Sequence, residues 1–453
     1  MQIHALRRDQ VEAEVAALRP AESKDREVAE VVAGLLAAVR ARGDQALVEI
    51  TARLDWPGAT AEGLEVPRAE LEAAAGGIDP SLLSALETAR DNLVFFHTHE
   101  RRADWEAVGP QGQVLGLRYR PVERAGLYVP GGHGAYASTV LMNAVPARVA
   151  GVEELIICTP PGGDGSVDRA VLAAAHLVGV TRVFRVGGAQ AVAAMAYGTE
   201  TVPRVDVICG PGNAFVMEAK RQVYGAVGID SLAGPSEVLV IADHTACPDW
   251  VAVDLLAQEE HGSGAQAVLL AESEELCLAV ARAVEALRQS VGTAAKALEV
   301  TDEGQGVADA VAPRPTVSPA EHLHAFFPAP GEDFEALAVA LVAAYAPEHL
   351  ELQVAEPRRL FARVGPAGAV FLGHHAPTAY GDYVAGSNHV LPTGGSARFS
   401  WPLSVDVFLR RSSYVELSQE SAAKLSGPLA TIAECEGFVF HRRSAEMRAQ
   451  STE

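Results

Sequence analysis

EELIICTPP (153–161), TRVFRVGG (181–188) and VDVICGPGN (205–213) are short apolar runs, each ending in glycine or proline and each followed by a helix-like run, around 172–177, 189–197 and 214–224. Strand, tight turn and helix in succession are the grammar of parallel βαβ units, because parallel neighbours need a crossover and a helix supplies it. Such a sheet is covered on both faces. A second series starts at SEVLVIAD (236–243), passes through a helix carrying Gln258 and His261, and resumes with AQAVLLAES (265–273) and a helix from Glu274 to about Arg288. The expected fold is α/β, with two Rossmann-like α/β domains. No GxGxxG follows any of the strands; RVGGAQAVAAMAYG (185–198) has the tight turn and the helix start but not the glycine spacing of a dinucleotide fingerprint.

Working outward, residues 1 to about 102 read as helical, with apolar residues at three- and four-residue spacing in VAEVVAGLLAAVRARGDQALVEITARL (28–54). VLGLRYRPVERAGLYVPGG (114–132) reads as strands and turns. VAPRPTVSPAEHLHAFFPAPGED (311–333) reads as an exposed connection, and GAVFLG (368–373) as a buried strand. The last fifth reads as a small appended segment: a glycine-rich loop, a polar loop and a short helix near SQESAAKLSG (418–427).

The chain has 453 residues, more than one hydrophobic core usually organises, so a cleft between domains is the expected ligand site. Its formal charge of −22 argues against nucleic acid or an anionic membrane as partner. The opening MQIHALRRDQVEAEVAALRP (1–20) lacks an apolar export core, and no apolar stretch reaches the roughly 20 residues that cross a bilayer. Five scattered cysteines without a CxxC pair suit reduced thiols in a cytoplasm. Soluble and cytoplasmic is the expectation.

Several side chains invite chemistry. Gln258 and His261 are three residues apart, so one helical face can present an oxygen and a nitrogen to a common point; His261 reads equally as a helix-terminal histidine solvated beside Glu259 and Glu260. Asp382 and His441 are further candidate zinc ligands, since carboxylate and imidazole both suit that metal. Pro347 and Glu348 are explained by a helical first turn, but His349 is not, and an acid beside an imidazole can serve two proton transfers. His389 lies in a loop seven residues beyond Asp382. Asn213 in GPGNA reads as an anion-facing helix start or as a plain N-cap. Cys209 is the one cysteine close to a site motif, but with no adjacent cation it reads as a buried structural thiol rather than a nucleophile.

Taken in order, LYVPGG (127–132), VGGAQA (186–191), CGPGNA (209–214), AGPSEVLVIAD (233–243), LLAQEEH (255–261), APEHLEL (346–352), GDYVAGSNHVLPTGG (381–395) and EGFVFH (436–441) make the chain resemble the histidinol dehydrogenases. The resemblance covers nearly the whole chain and is weakest in the first hundred residues. It implies an NAD-dependent enzyme with one Zn2+ per subunit that oxidises L-histidinol to L-histidine through the aldehyde, as a homodimer with shared active sites. By the same resemblance Gln258, His261, Asp382 and His441 would bind zinc, with His441 and the substrate contact Glu436 coming from the partner. Tyr128, Gln190 and Asn213 would contact the nucleotide, Ser236 and His389 the substrate, and Glu348 and His349 would be the acid–base pair. Residues 1–105 would then pack on a nucleotide-side domain, 106–235. Residues 236–381 would carry the zinc and acid–base groups, and 382–453 would complete the dimer. Alternatives are a relative acting on another amino- or sulfo-alcohol, and a zinc hydrolase, which would have no use for the nucleotide-facing residues.

Overall fold

The computed structural model describes residues 1–19, 25–131, 134, 136–262, 264–300 and 322–449. It is a mixed α/β structure built on two parallel sheets. The first has five strands, in spatial order Arg182–Arg185, Glu154–Thr159, Arg124–Tyr128, Val207–Cys209 and Gly228–Ile229. The strand Glu154–Thr159 shows why it needs cover on both sides. Leu155 and Ile157 enter one buried cluster while Ile156 and Cys158 enter another on the opposite face, because successive side chains of a strand point to opposite faces. Helices between Asp25 and Thr98 supply part of that cover by packing on the helices of this sheet.

The second sheet has six strands, in spatial order Gln2–Leu6, Leu323–Pro328, Gln266–Ala271, Glu237–Ala242, His349–Gln353 and Ala369–Leu372, with every pair parallel. Leu239 and Ile241 point into one core and Val238, Val240 and Ala242 into the other. Two expectations fail here. The chain start is not helical throughout: Gln2–Leu6 is a strand beside Leu323–Pro328, and Val11, Val15 and Leu18 of the next helix join the core of this second sheet, not the first. Nor is 311–333 only a connection, since Leu323–Pro328 is an inner strand. Both strands are short, and a five-residue strand is specified by the edge it meets rather than by its own pattern. The Pro-rich part, 311–321, lies outside the described residues.

A third sheet is a three-stranded antiparallel ribbon, Leu409–Glu416, Val114–Pro121 and Trp105–Val108 in order. It joins the last fifth of the chain to the start of the first α/β unit. Beyond it, in place of one short helix, Gln419–Cys435 and Val439–Ala449 form a helical hairpin. The helix from Glu274 likewise runs on to Val300. Among the described residues no helix is long and apolar enough to cross a membrane.

Candidate active site

Glu237–Ala242 and His349–Gln353 are adjacent parallel strands, so the residues that open them, Ser236–Glu237 and Glu348–His349, meet at one edge of the second sheet. Ser236 Oγ donates to Glu348 Oε2 at 2.6 Å and the Glu237 N–H donates to the same oxygen at 2.9 Å. Glu348 returns a longer bond, from its N–H to Glu237 Oε1 at 3.3 Å. His349 Nδ1 lies 3.2 Å from the Glu237 carbonyl. A carbonyl only accepts, so Nδ1 carries the hydrogen and the lone pair is left on Nε2. Nε2 is buried without a hydrogen-bond partner, 3.6 Å from Asp382 Oδ1, a distance at which charge acts but no hydrogen bond forms. Burial works against charging this imidazole, but the Glu348 and Asp382 carboxylates prevail and push it up to about 9.

Asp382 sits in the six-residue helix Thr378–Tyr383, too short to hold itself. Glu351, two residues beyond His349, accepts from Thr378 N and Oγ1, both at 2.7 Å, and so caps the helix from outside. Burial alone would raise the Asp382 carboxyl; His349, then His389 and His261, hold it below the ordinary carboxylate range. His389 Nδ1 donates to the Asp382 carbonyl at 2.9 Å, and burial keeps the His389 imidazole low. Its Nε2 is 3.5 Å from Thr139 Oγ1, in the helix Ala137–Ala150 of the first α/β unit, so the two halves of the molecule meet at this ring.

Gln258 lies in the last turn of Pro248–Glu259, 2% exposed, with neither amide atom paired. A buried amide with no partner is costly, and it marks a place where a ligand would complete the bonding. His261 follows the helix end, its N–H donating to the Gln258 carbonyl at 3.2 Å, and is exposed. These observations suit a cation bound by Gln258, His261 and Asp382. Among the described residues, though, no group of three or more His, Cys, Asp and Glu is placed to hold a metal. Within one chain, His261 lies close enough to Asp382 for its charge to act on it, and the helix that carries Gln258 packs against the helix that carries Asp382. His441 is not brought to them: it is exposed on the C-terminal hairpin, its ring 5.1 Å from that of Phe438, and Glu436 is exposed beside it. That hairpin carries Ile432, Phe438, Val439, Phe440 and Met447 in the open, with Phe440 86% exposed.

The expected nucleotide residues occupy the opposite kind of edge, where the strands of the first sheet end. Tyr128 closes its strand; its hydroxyl accepts from Gly188 N at 3.0 Å, and burial pushes it up to about 12. Gln190, 1% exposed, donates from Nε2 to Asp55 Oδ2 at 3.1 Å and leaves Oε1 unpaired. Asn213 Oδ1 accepts from Phe215 N and Val216 N, both at 3.1 Å, so its capping role is satisfied within the chain. Cys209 is fully buried, and burial raises its thiol far above the usual range, which removes it as a nucleophile at neutral pH.

Sequence reading missed Glu237, whose carboxylate accepts from Glu348 N and, at 3.1 Å, from Gly394 N. Burial and then Glu348 push it up to about 7. The one available signal was an acidic residue opening the otherwise apolar EVLVIA. Asp55 and Thr139 gave none, because their roles depend on partners more than a hundred residues away.

The family model for histidinol dehydrogenase matches residues 18–312 and 332–449. The histidinol dehydrogenase of Synechococcus sp. is 48% identical over 417 residues, covering 92% of this chain and 91% of that one. That of Syntrophotalea carbinolica is 45% identical over 425 residues, 94% of this chain and 93% of the relative. The crystal structure of histidinol dehydrogenase from Elizabethkingia anophelis superposes with a TM-score of 0.86 at 30% identity, covering 99% of this chain and 98% of that chain.

Proposed function

The chain belongs to the histidinol dehydrogenase family, and on that premise we propose that it converts L-histidinol to L-histidine by two NAD-dependent oxidations at the Glu348–His349–Asp382 cluster. It is an oxidoreductase of histidine biosynthesis that acts on histidinol. What supports the detailed reading most directly is His349 Nε2: a buried imidazole nitrogen without a hydrogen-bond partner, at an edge where two carboxylates and a second histidine converge.

In the first oxidation the carbinol C–H bond breaks and its hydride passes to NAD while His349 Nε2 takes the hydroxyl proton, leaving the aldehyde. Water then adds to the aldehyde carbon. Glu348, its Oε2 held by Ser236 Oγ and the Glu237 N–H, takes the proton that this water loses. His349 returns its proton to the former carbonyl oxygen, which gives the hydrate. The hydrate is again an alcohol: as its remaining C–H delivers a second hydride to a second NAD, His349 takes one hydroxyl proton as before, and the acid so formed releases its last proton to water as the carboxylate. One set of groups therefore serves both steps. His389 and Ser236 line the same edge and are read as substrate contacts.

Zinc is part of the reading, held by Gln258, His261 and Asp382. When bound, it would orient the amino and imidazole nitrogens of histidinol. With Asp382 so engaged, its hold on the His349 proton would weaken, and the base would move toward neutrality. The fourth donor, His441, and the substrate contact Glu436 would come from a second copy, whose hairpin would cover its exposed apolar side chains against this one. NAD would contact Tyr128, Gln190 and Asn213. The cysteines are all free thiols, which agrees with the reducing cytoplasm we propose as its location.

The deciding experiment is NADH absorbance with purified, zinc-loaded protein and limiting histidinol. Two NADH per histidinol is expected. One NADH per histidinol, or turnover without NAD, would refute the reading. Mixed dimers of His441→Ala and Asp382→Ala subunits should regain activity, since one of the two sites is then intact; verified heterodimers that stay inactive would remove the shared site.

A further inference from the structure

Lys220 and Asp230 form an ion pair whose side chains are 1% and 2% exposed, in a part of the molecule the reaction does not use directly. Lys220 lies two turns into the helix Ala214–Val223, and Asp230 follows the edge strand Gly228–Ile229. Both converge on the backbone of one residue, Gly210. Lys220 Nζ donates to the Gly210 carbonyl at 3.0 Å, and the Gly210 N–H donates to Asp230 Oδ2 at 2.8 Å. Asp230 Oδ1 meets Lys220 and also accepts from Ser231 N at 2.6 Å. The result is a closed ring: the C=O and the N–H of Gly210 are each held by one member of a pair that also hold each other.

Gly210 is where the strand Val207–Cys209 turns away, with φ at +117°. A Cβ there would overlap the Tyr128 carbonyl oxygen, so the two strand ends press directly together. Three residues on, Asn213 caps the helix that carries Lys220 itself. The direction of the turn 210–213, and with it the distance between Asn213 and Tyr128, is therefore set by where the ion pair holds Gly210. Stability is a poor explanation for such a pair, because desolvating two charges offsets much of their attraction, and well-packed apolar groups of similar volume stabilise as well or better. An ion pair that grips both backbone polar groups of one residue does what apolar groups cannot: it fixes the orientation of the two peptide units that flank it.

We propose that Lys220 and Asp230 are positioning residues for the nucleotide, acting through the two peptide units that flank Gly210 to hold Asn213 and Tyr128 at the spacing that NAD requires. The inference rests on the nucleotide contacts read above. The Lys220→Met/Asp230→Asn double variant tests it, because it leaves no buried net charge while keeping an oxygen for the Gly210 N–H. NADH affinity is measured by fluorescence titration, and KM for NAD and for histidinol in the same preparation. The Kd for NADH and the KM for NAD should rise about tenfold or more, since small misplacements of a binding group are that costly, while the KM for histidinol stays within about twofold of wild type.

A folded double variant that binds NADH as wild type does overturns the proposal, as does a parallel rise of both KM values, which would mean general loosening. Should the double variant not fold, Asp230→Glu keeps both charges and displaces the carboxylate by one methylene. The same one-sided loss of nucleotide affinity is expected there, and an unchanged Kd is equally fatal. A wild type that fails to bind NADH would overturn the nucleotide reading together with this inference; a wild type that binds it beside variants that bind equally well overturns the inference alone.

Discussion

The two parallel sheets place their polar groups at opposite ends of their strands. In the first, Tyr128, Gln190 and Asn213 follow strand ends and are nearly satisfied by the chain itself: a hydroxyl on Gly188, an amide on Asp55, a cap on two backbone N–H groups. In the second, Ser236, Glu237, Glu348 and His349 sit where strands begin, and groups there are left without partners or with their proton affinity displaced. The contrast separates two jobs. A prearranged edge binds a cofactor that comes and goes, whereas an edge holding frustrated charges is suited to moving protons.

The strongest way to break this comparison is His349→Asn. An amide of similar size keeps the bond to the Glu237 carbonyl but offers no basic lone pair, so histidinol oxidation should fall by about 10²–10⁴-fold, with NADH affinity unchanged. A fall in both would mean that the two edges are not independent. In metal-free protein the His349 ring, followed by NMR, should lose its proton well above neutrality, and Asp382→Asn should lower that midpoint, because one of the two carboxylates that push His349 to about 9 is removed. A midpoint that stays in place would mean that Asp382 does not act on this ring.

Gly210→Ala probes the first edge by force. At φ +117° and against the Tyr128 carbonyl, an alanine should destabilise by about 3 kcal/mol or more through strain and overlap, read from denaturant midpoints. Gln258→Leu should do the reverse in metal-free protein. It removes a buried unpaired amide and should leave stability equal or higher by about 1–2 kcal/mol, while zinc affinity is lost. Lower stability of the metal-free variant would mean that the amide already has a partner.

A smaller effect comes from Asp254, one turn before Gln258. Burial and then Glu351 push its carboxyl up to about 8, against 3.8 in a free chain, and Gln353 Nε2 bonds both acids, at 2.7 and 2.9 Å. Between those two values the folded protein holds a proton that the unfolded chain has released. This group's contribution therefore falls as pH rises through the window and is flat above it. Asp254→Asn should flatten the decline in urea midpoint between pH 5 and 8, and an unaltered slope would assign it elsewhere. The smallest change is Asn213→Ala, which should cost about 1 kcal/mol as a lost cap; an accompanying rise in KM for NAD would add the nucleotide role to the structural one.

Much of this was legible because βαβ grammar is local. Short apolar runs mark Glu154–Thr159, Arg182–Arg185, Val207–Cys209, Glu237–Ala242 and Gln266–Ala271 as strands, and ordered motifs mark Gln258, Glu348, His349 and Asp382. The strand Gln2–Leu6 was not legible, because it exists only beside Leu323–Pro328, more than three hundred residues away. The hairpin 419–449 was read too short because its exposed Phe438, Val439 and Phe440 look like loop residues until a covering surface is supplied.

The sequence by itself determined the α/β class and the family, and it marked Tyr128, Gln190, Asn213, Ser236, Glu348 and His349 but not Glu237 or Asp55, since what it marks depends on residue types at short, fixed spacing. Only the tertiary structure decided which nitrogen of His349 is free, that Glu351 caps the helix of Asp382, and that Lys220 and Asp230 grip Gly210. Those outcomes depend on directions and distances between segments far apart in the chain, and a hydrogen bond or a desolvated charge is decided within an ångström or two that no local pattern encodes.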